Sequence, residues 1–288
     1  MKFIRVSLIM ILAVSFSVVA SAQQKTPRLG IATSLAQDSL VYDAGFKLIT
    51  ESVKKMLAPP LTDEEFKANL QKIRAAKCKI LTCNNFFPAD LKIAGPDVDE
   101  DKVMAYTEIV LSRAKEAGVK FLVLGSSGAR RIPDGYNVNQ AKADFVDLCR
   151  KLGELAQKNQ VTIVLENLET TETNFITSLK SAAEIVRQVN HQNFRLNADI
   201  FHMMREGESP DEIIAAGDLI AFVEVAEKEK RSLPGVMGED FKPYLRALKQ
   251  IGYKDYIFIE GGVKDAGVEI PAAFKYLSAQ IATVYSEK

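Results

Sequence analysis

The amino-acid sequence predicts one α/β domain, a single (β/α)8 barrel, and three observations support this fold. Short apolar segments rich in β-branched residues alternate along the chain with segments of helical length and period. Eight strand-like segments can be counted, with no linker or low-complexity stretch between them. The last four of these strands each end in a carboxylic acid. Alternating strands and helices form parallel sheets, and eight strands close a barrel. A doubly wound open sheet is the weaker alternative.

The first half of the chain supplies four of the predicted strands, residues 28–35, 46–53, 79–83 and 120–124. Thr62 followed by three acids is typical of a helix start, and a helix is predicted from there to about residue 76. A second helix, residues 99–117, should end at Gly118, because glycine readily adopts the left-handed cap conformation. Residues 125–131, Gly-Ser-Ser-Gly-Ala-Arg-Arg, either bind a phosphate through backbone amides or simply turn the chain.

The second half supplies the other four strands, residues 161–166, 194–199, 219–226 and 256–260. Helices are predicted over residues 139–159, 177–190, 210–216, 241–251 and 270–285. Because strands and helices alternate in this way, the carboxyl ends of the strands should all lie on one face of the barrel. That face is where barrels of this kind carry their sites.

The bulk composition excludes two classes of partner. The 37 Lys and Arg residues are balanced by 37 Asp and Glu residues, and the sequence pI is about 6.8. A neutral chain offers no strong attraction for nucleic acid or for anionic lipid, so neither is an expected partner. The chain has three cysteines, Cys78, Cys83 and Cys149. A small, odd number of cysteines does not indicate a disulfide framework, so all three are predicted to be packing residues.

The amino-terminal residues differ from the rest of the chain. Lys2 and Arg5 precede a short apolar segment, and Ala20-Ser21-Ala22 is typical of a cleavage site. We therefore predict a secretory signal peptide over residues 1–22 and a mature barrel over residues 23–288. A membrane anchor is the alternative, but about 15 apolar residues are short for a span. The mature protein is expected to be exported, periplasmic or secreted, and free of the membrane.

The acids that end the last four strands are candidate site residues. They are Glu166, Asp199, Glu224 and Glu260, at intervals of 33, 25 and 36 residues. Such an interval is about what one strand, one helix and their loops occupy. Acids placed in this way on successive parallel strands should converge at one end of the barrel. For any one of them, capping a helix or pairing with an arginine is the alternative.

An oxygen-rich set of this kind suits a hard divalent cation, with Mn²⁺ or Mg²⁺ expected first and Ca²⁺ as an alternative. Such an ion would hold two oxygens of a hydroxy-carbonyl sugar, and two carboxylates could then remove and return a proton through an ene-diolate. His202 follows Asp199 by three residues and Arg231 follows the seventh strand, so both are candidate contacts for substrate oxygens. A structural histidine and a solvated charge cluster are the respective alternatives.

Four motifs carry a resemblance to a known family: Leu165-Glu166-Asn167, Asp199-Ile200-Phe201-His202, Pro234-Gly235 and Ile259-Glu260-Gly261. With them the chain resembles the xylose isomerase-like TIM-barrel superfamily of sugar isomerases and epimerases, above all the tagatose/psicose 3-epimerases and hydroxypyruvate isomerases. The likeness covers nearly the whole mature chain and is strongest from Gly125 onward. It implies a TIM barrel, a bound divalent metal ion and a small carbohydrate substrate.

The resemblance also implies roles for individual residues. The family's metal ligands are Glu, Asp, His and Glu from strands five to eight, and three of them are matched here by Glu166, Asp199 and Glu260. Glu166 and Glu260 would also be the catalytic proton-transfer pair, and His202 and Arg231 match substrate-binding positions.

The fourth ligand departs from the family pattern, because Phe222-Val223-Glu224 stands where the family usually has His-x-His. Glu224 at the ligand position would bring four negative charges around one dication. Close like charges raise one another's pKa, so one carboxyl group would stay protonated or swing out, unless Lys228 or Arg231 neutralises the excess. The sequence therefore predicts preference for a harder ion, or weak metal binding.

The expected function is that of a metal-dependent sugar isomerase or epimerase that removes a proton next to a carbonyl group. A keto-glycoside lyase, which would use the same carbanion for β-elimination, is the second interpretation. The third is a non-catalytic carbohydrate-binding barrel with an altered metal site. Homo-oligomerisation is left open, and so is the participation of Glu51 on the second strand.

Overall fold

Residues 26–287, the part of the chain that the computed structural model describes, form a closed barrel of eight parallel strands. Each strand pairs with its neighbours in the sequence, and the eighth closes the barrel on the first. The strands are β1 Arg28–Ala32, β2 Leu48–Ser52, β3 Lys79–Asn84, β4 Phe121–Leu124, β5 Thr162–Glu166, β6 Phe194–Asp199, β7 Ile220–Val225 and β8 Tyr256–Ile259. The predicted (β/α)8 barrel is confirmed, and the open-sheet alternative is excluded. The predicted signal peptide lies outside the described residues.

Helices surround the barrel and connect its strands. In chain order they are α1 Asp38–Asp43, α2 Val53–Met56, α3 Asp63–Ala75, α4 Glu100–Ala117, α5 Ser127–Arg130, α6 Val138–Lys158, α7 Leu179–Val189, α8 Ile200–Glu206, α9 Asp211–Ala216, α10 Lys242–Gln250 and α11 Ala266–Ser286. Within residues 26–287, none of them is long and apolar enough to span a bilayer.

The helix signals in the sequence work as predicted. Thr62 and Glu65 form a reciprocal capping box at the start of α3, and Gly118 ends α4 at a φ of 73°. Four short helices, α1, α2, α5 and α8, were not predicted. Each has at most seven residues, which is too short to show a hydrophobic period.

The inside of the barrel is filled by apolar side chains. They are Leu48, Leu81, Phe121, Val123, Val164, Phe222, Tyr256 and Phe258. Gly30 lies against the Phe258 ring, so closely that a Cβ atom at position 30 would overlap it. A second, larger core lies between the sheet and the helices. These side chains leave no room for a site inside the barrel. A site can form where polar side chains replace the apolar ones, at the carboxyl ends of the strands.

The three cysteines are buried and free, as a packing role requires. Burial raises the pKa of the Cys78 thiol to about 12 and the pKa values of the Cys83 and Cys149 thiols well above the ordinary range. Thiols that stay protonated are poor nucleophiles and poor metal ligands.

Candidate active site at the carboxyl ends of the strands

The structure brings the four candidate acids together. Glu166 and Asp199 are the last residues of β5 and β6, Glu224 is the penultimate residue of β7, and Glu260 directly follows β8. Asp199 and Glu224 are paired in the register of β6 and β7. One carboxylate oxygen from each of the four acids lies within 4.8 Å of the corresponding oxygen of every other. We call this set the acid cluster.

Most of the acid cluster is shielded from water. Glu166, Asp199 and Glu224 are buried, whereas Glu260 is partly exposed. Burial raises the pKa of Glu166 well above its usual value, and the neighbouring acids add to this effect. The pKa of Glu224 is raised for the same reasons, burial first and then the charges of Glu260 and Asp199. In the protein alone, burial and the neighbouring acids therefore oppose ionisation of Glu166 and Glu224.

Two buried oxygens of the acid cluster accept no hydrogen bond from residues 26–287. They are Asp199 Oδ2 and Glu224 Oε1. The other Glu224 oxygen accepts from Asn197 Nδ2 at 2.5 Å, and Glu260 Oε1 accepts from Asn84 Nδ2 at 2.6 Å. Buried oxygens without a partner are costly, and carboxylate oxygens are the donors that hard dications prefer. The residues present therefore fit a divalent metal ion.

Arg231 is the cation that lies against the acid cluster. Its Nη2 atom is 2.5 Å from Glu260 Oε2 and 3.6 Å from Asp199 Oδ2, and its Nη1 atom is 3.3 Å from Glu172 Oε1. Partial burial acts to lower the pKa of Arg231, but the surrounding acids outweigh it and raise that pKa. Lys228 is exposed and its backbone N–H donates to Glu239, so of the two predicted counter-charges only Arg231 is in place.

The loop that carries Arg231, residues 226–241 between β7 and α10, is held in a strained conformation. Lys230 and Arg231 have φ angles of 59° and 48°, in the left-handed region. The fully buried carboxylate of Glu227 holds this loop by accepting bonds from Ser232 Oγ and from the backbone N–H groups of Gly235, Met237, Gly238 and Glu239. The N–H of Gly262 donates to the Arg231 carbonyl at 2.8 Å. These bonds fix where the guanidinium group lies.

His202 is buried in the first turn of α8, at 1% exposure. Its Nε2 atom is 3.6 Å from Asp199 Oδ2 and 3.7 Å from Glu166 Oε1. Neither ring nitrogen has a hydrogen-bond partner among the described residues. The helix begins at Asp199, whose side chain accepts the His202 backbone N–H at 3.3 Å. A cap therefore places the ring beside the acid cluster.

A small polar cavity opens above the acid cluster, with a volume of about 280 Å³. It is lined by Asn84, Asn85, Gly125, Ser126, Ser127, Glu166, Leu168, Glu172, His202, Arg231 and Glu260. This volume is at the lower end for ligand pockets, about 300–1,000 Å³. A Cβ atom at Gly125 would overlap Glu166 Oε2, so a larger residue there would displace that carboxylate.

Glu51 takes no part in this site. Its carboxylate accepts the backbone N–H groups of Leu35 and Ser52 at 3.2 and 3.0 Å, and it lines a separate groove on the outside of the barrel. Glu51 thus secures the loop after β1.

Several site residues escaped the sequence analysis: Asn84, Arg130, Glu172, Asn197 and Glu227. Asn84 ends β3, and Asn197 lies two residues before Asp199, so strand position was the available signal for both. Arg130 is fully buried and donates to the Glu166 carbonyl at 2.7 Å, and burial lowers its pKa to about 10. The segment 125–131 turns the chain through the short helix α5 and lines the cavity.

The fold and the site together define a class: a (β/α)8 barrel with an acid-lined cavity at the carboxyl ends of its strands. A family model described as xylose isomerase-like TIM barrel matches residues 39–279. The chain belongs to this xylose isomerase-like TIM-barrel family, which confirms the resemblance inferred from the motifs.

Individual relatives are sugar epimerases. The chain is 30% identical over 120 residues to L-ribulose 3-epimerase of Methylomonas sp. (strain DH-1), covering 41% of this chain and 42% of that protein. It is 26% identical over 183 residues to D-psicose 3-epimerase of Ruminiclostridium cellulolyticum, covering 62% and 61%. The matches thus span only about half the length of these relatives. The crystal structure of 3-keto-D-glucoside 4-epimerase from E. coli superposes with a TM-score of 0.73 at 18% identity, covering 88% and 100%, and shows the shared fold.

Proposed function

We propose that this protein is a sugar isomerase or epimerase that removes and returns a proton on a carbon next to a carbonyl group. One observation carries the proposal: Glu166 and Glu260 line the same small cavity within an acid cluster that has two unpaired buried oxygens. Such a cavity can take a single sugar ring and present two carboxylates to it. The membership in a family of sugar epimerases and isomerases supports the same reaction class.

The two carboxylates differ in their surroundings, as an acid and a base should. Glu166 is buried, and burial raises its pKa in the metal-free site. Glu260 is partly exposed and bonded to Arg231 and Asn84. Glu166 and Glu260 would be the pair that removes the proton from the sugar carbon and returns it.

The acid cluster would hold a divalent cation through Glu166, Asp199, Glu224 and Glu260, with Mn²⁺ or Mg²⁺ as the best fit and Ca²⁺ as the alternative. When bound, such an ion polarises a sugar carbonyl and stabilises negative charge on its oxygen. Arg231 and His202 would orient substrate oxygens from the side of the cavity that they line.

Hydrogen exchange tests the proposal directly. The protein with Mn²⁺ is incubated in D2O with ketoses and 3-keto-glucosides, and deuterium uptake and products are followed by mass spectrometry and NMR. Glu166→Gln and Glu260→Gln should each lower turnover by about 10²–10⁴-fold, the usual contribution of a proton-transferring group. Glu108→Gln, on the exposed face of α4, is the control. Unchanged turnover in either site variant contradicts the assigned roles.

A keto-glycoside lyase is the second candidate, and the superposition on a 3-keto-D-glucoside 4-epimerase favours including it. In β-elimination a carboxylate takes the proton next to the carbonyl, the C–O bond to the aglycone breaks, and the aglycone leaves as an alcohol after gaining a proton. The sugar retains a C=C bond. Release of the alcohol distinguishes this reaction from epimerisation, which changes no mass. Sugar binding without deuterium uptake would instead support a non-catalytic barrel.

We also propose that the mature protein begins at Gln23 and acts outside the cytoplasm, either in the periplasm or secreted. The support is the basic, apolar and small-residue pattern of residues 1–22. Intact-mass measurement of the protein from cell fractions tests this. A cytoplasmic protein that retains residue 1 would refute it.

A further inference from the structure

A second depression adjoins the small polar cavity at the rim of the barrel. Its volume is about 450 Å³, and we call it the outer groove. It is lined by Ser52, Lys54, Ala58, Pro60, Asn85, Phe87, Pro88, Ala89, Tyr106, Ser126, Ser127 and Gly128. Three of these, Asn85, Ser126 and Ser127, also line the polar cavity. The two spaces therefore share a wall.

The shared wall is built from strained and anchored backbone. Asn85 and Ser126 have φ angles of 53° and 46°, in the left-handed region. The Phe87 backbone N–H donates to Ser126 Oγ at 2.9 Å, which ties the loop after β3 to the loop after β4. Lys92 Nζ donates to the Gly128 carbonyl at 2.8 Å. Strain of this kind is often kept where a ligand is held, and these bonds give the wall a fixed shape.

The outer groove differs in chemistry from the polar cavity beside it. Its lining residues include the partly exposed Tyr106, the buried Phe87, whose ring centroid lies 5.6 Å from that of Tyr106, and proline and alanine residues. The Tyr106 hydroxyl already donates to the Phe86 carbonyl at 2.9 Å. An apolar, aromatic surface is suited to a planar ring or the apolar face of a second sugar.

We propose that the outer groove binds the group attached to the reacting sugar, so that the substrate is a keto-glycoside with an apolar or aromatic aglycone. This inference rests on the proposed function and names its substrate class. The polar cavity is at the small end for ligand pockets, so a larger attached group must lie beyond its wall. The outer groove lies on the other side of the residues that both spaces share, so an attached group that passes over these residues would enter it.

A matched pair of ligands tests the proposal: methyl and phenyl 3-keto-β-D-glucosides, which differ only in the attached group. Dissociation constants are measured by titration calorimetry on the mature chain with Mn²⁺, in a Glu260→Gln background that stops turnover. Ala89→Phe fills the outer groove from an exposed position. Ala272→Phe adds the same ring on the exposed side of α11 and is the control.

The phenyl glycoside should bind about tenfold more tightly than the methyl glycoside, because it buries a ring. Ala89→Phe should abolish this advantage, and Ala272→Phe should retain it. Equal affinity for both ligands in every variant contradicts the proposal that the outer groove is a binding subsite. It does not contradict the proposal that the polar cavity binds the sugar. Binding of neither ligand to the Glu260→Gln chain, together with no deuterium uptake or turnover of either ligand by the parent chain, overturns the proposed function, and this inference with it.

Discussion

Glu224 sets the charge of the site. It is fully buried, one of its oxygens is bonded to Asn197, and the other has no partner within residues 26–287. A histidine at this position would bring a neutral nitrogen ligand. The carboxylate brings an extra negative charge, which Arg231 offsets from across the acid cluster. An all-oxygen set favours hard ions over ions that prefer nitrogen.

Glu224→His should change which metal ion the protein retains. The imidazole adds a nitrogen donor and removes one charge, so the ratio of bound Zn²⁺ to bound Mn²⁺ should rise by about tenfold or more. The measurement is elemental mass spectrometry after dialysis against equal concentrations of both ions. Glu154→His, on an exposed position of α6, is the control. An unchanged ratio would contradict the assignment of Glu224 as a ligand of the proposed metal site.

At the scale of elements, the loop of residues 226–241 shows how one buried carboxylate can position a distant side chain. Glu227 contacts neither the cavity nor the acid cluster, yet it accepts five bonds from the loop that presents Arg231. Glu227 is thus a positioning residue. The backbone that it holds includes two non-glycine residues in the left-handed region, which would relax without these bonds.

Glu227→Gln should weaken the hold on this loop, because an amide has one oxygen acceptor and turns an NH2 group toward N–H donors. We expect kcat/KM to fall by about tenfold or more while the circular dichroism spectrum stays unchanged. A double-mutant cycle with Arg231→Met separates positioning from a general structural effect. Non-additive losses in the cycle support positioning, and fully additive losses argue against it.

Regular elements can be predicted from this sequence, whereas the direction of side chains within its strands cannot. Eight strands and the long helices could be predicted because their apolar periods are long enough to recognise. Barrel strands, however, are buried on both faces, so their sequence does not show which residues point inward. This is why Glu51 was left undecided, although it lies outside the barrel wall, and why Asn84 and Asn197 were missed.

At the scale of the whole molecule, the two halves of the barrel supply chemically different residues to the site. Strands β5 to β8 supply all four members of the acid cluster, whereas β3 and β4 lead into the amide and serine residues of the shared wall. Concentrating buried acids on one half of a barrel has a cost in stability, since folding moves them out of water. That cost depends on pH.

The free energy of unfolding of the metal-free protein should fall as pH rises above about 4.5, the ordinary pKa of glutamate. The folded chain holds protons on Glu166 and Glu224 that the unfolded chain has released, because their folded-state pKa values are raised. Their contribution to stability is therefore fully present below pH 4.5 and is lost with increasing pH. Glu224→Gln should raise the free energy of unfolding at pH 8 by about 1–3 kcal/mol.

Urea denaturation in the presence of a chelator, at pH 5.5 and pH 8, measures both effects. Glu154→Gln, on the exposed side of α6, should leave the pH dependence unchanged. If the Glu224→Gln protein is less stable than the parent at pH 8, the buried carboxylate does not destabilise the metal-free fold.

The fit between Gly125 and Glu166 constrains the order in which this site could have changed over time. Because Glu166 Oε2 occupies the space that a Cβ atom at position 125 would need, a side chain there would displace the carboxylate from its place in the acid cluster. A descendant lineage could lose the acid first and only then replace the glycine. The reverse order passes through a chain whose Glu166 carboxylate has been pushed out of the acid cluster before the acid itself is lost.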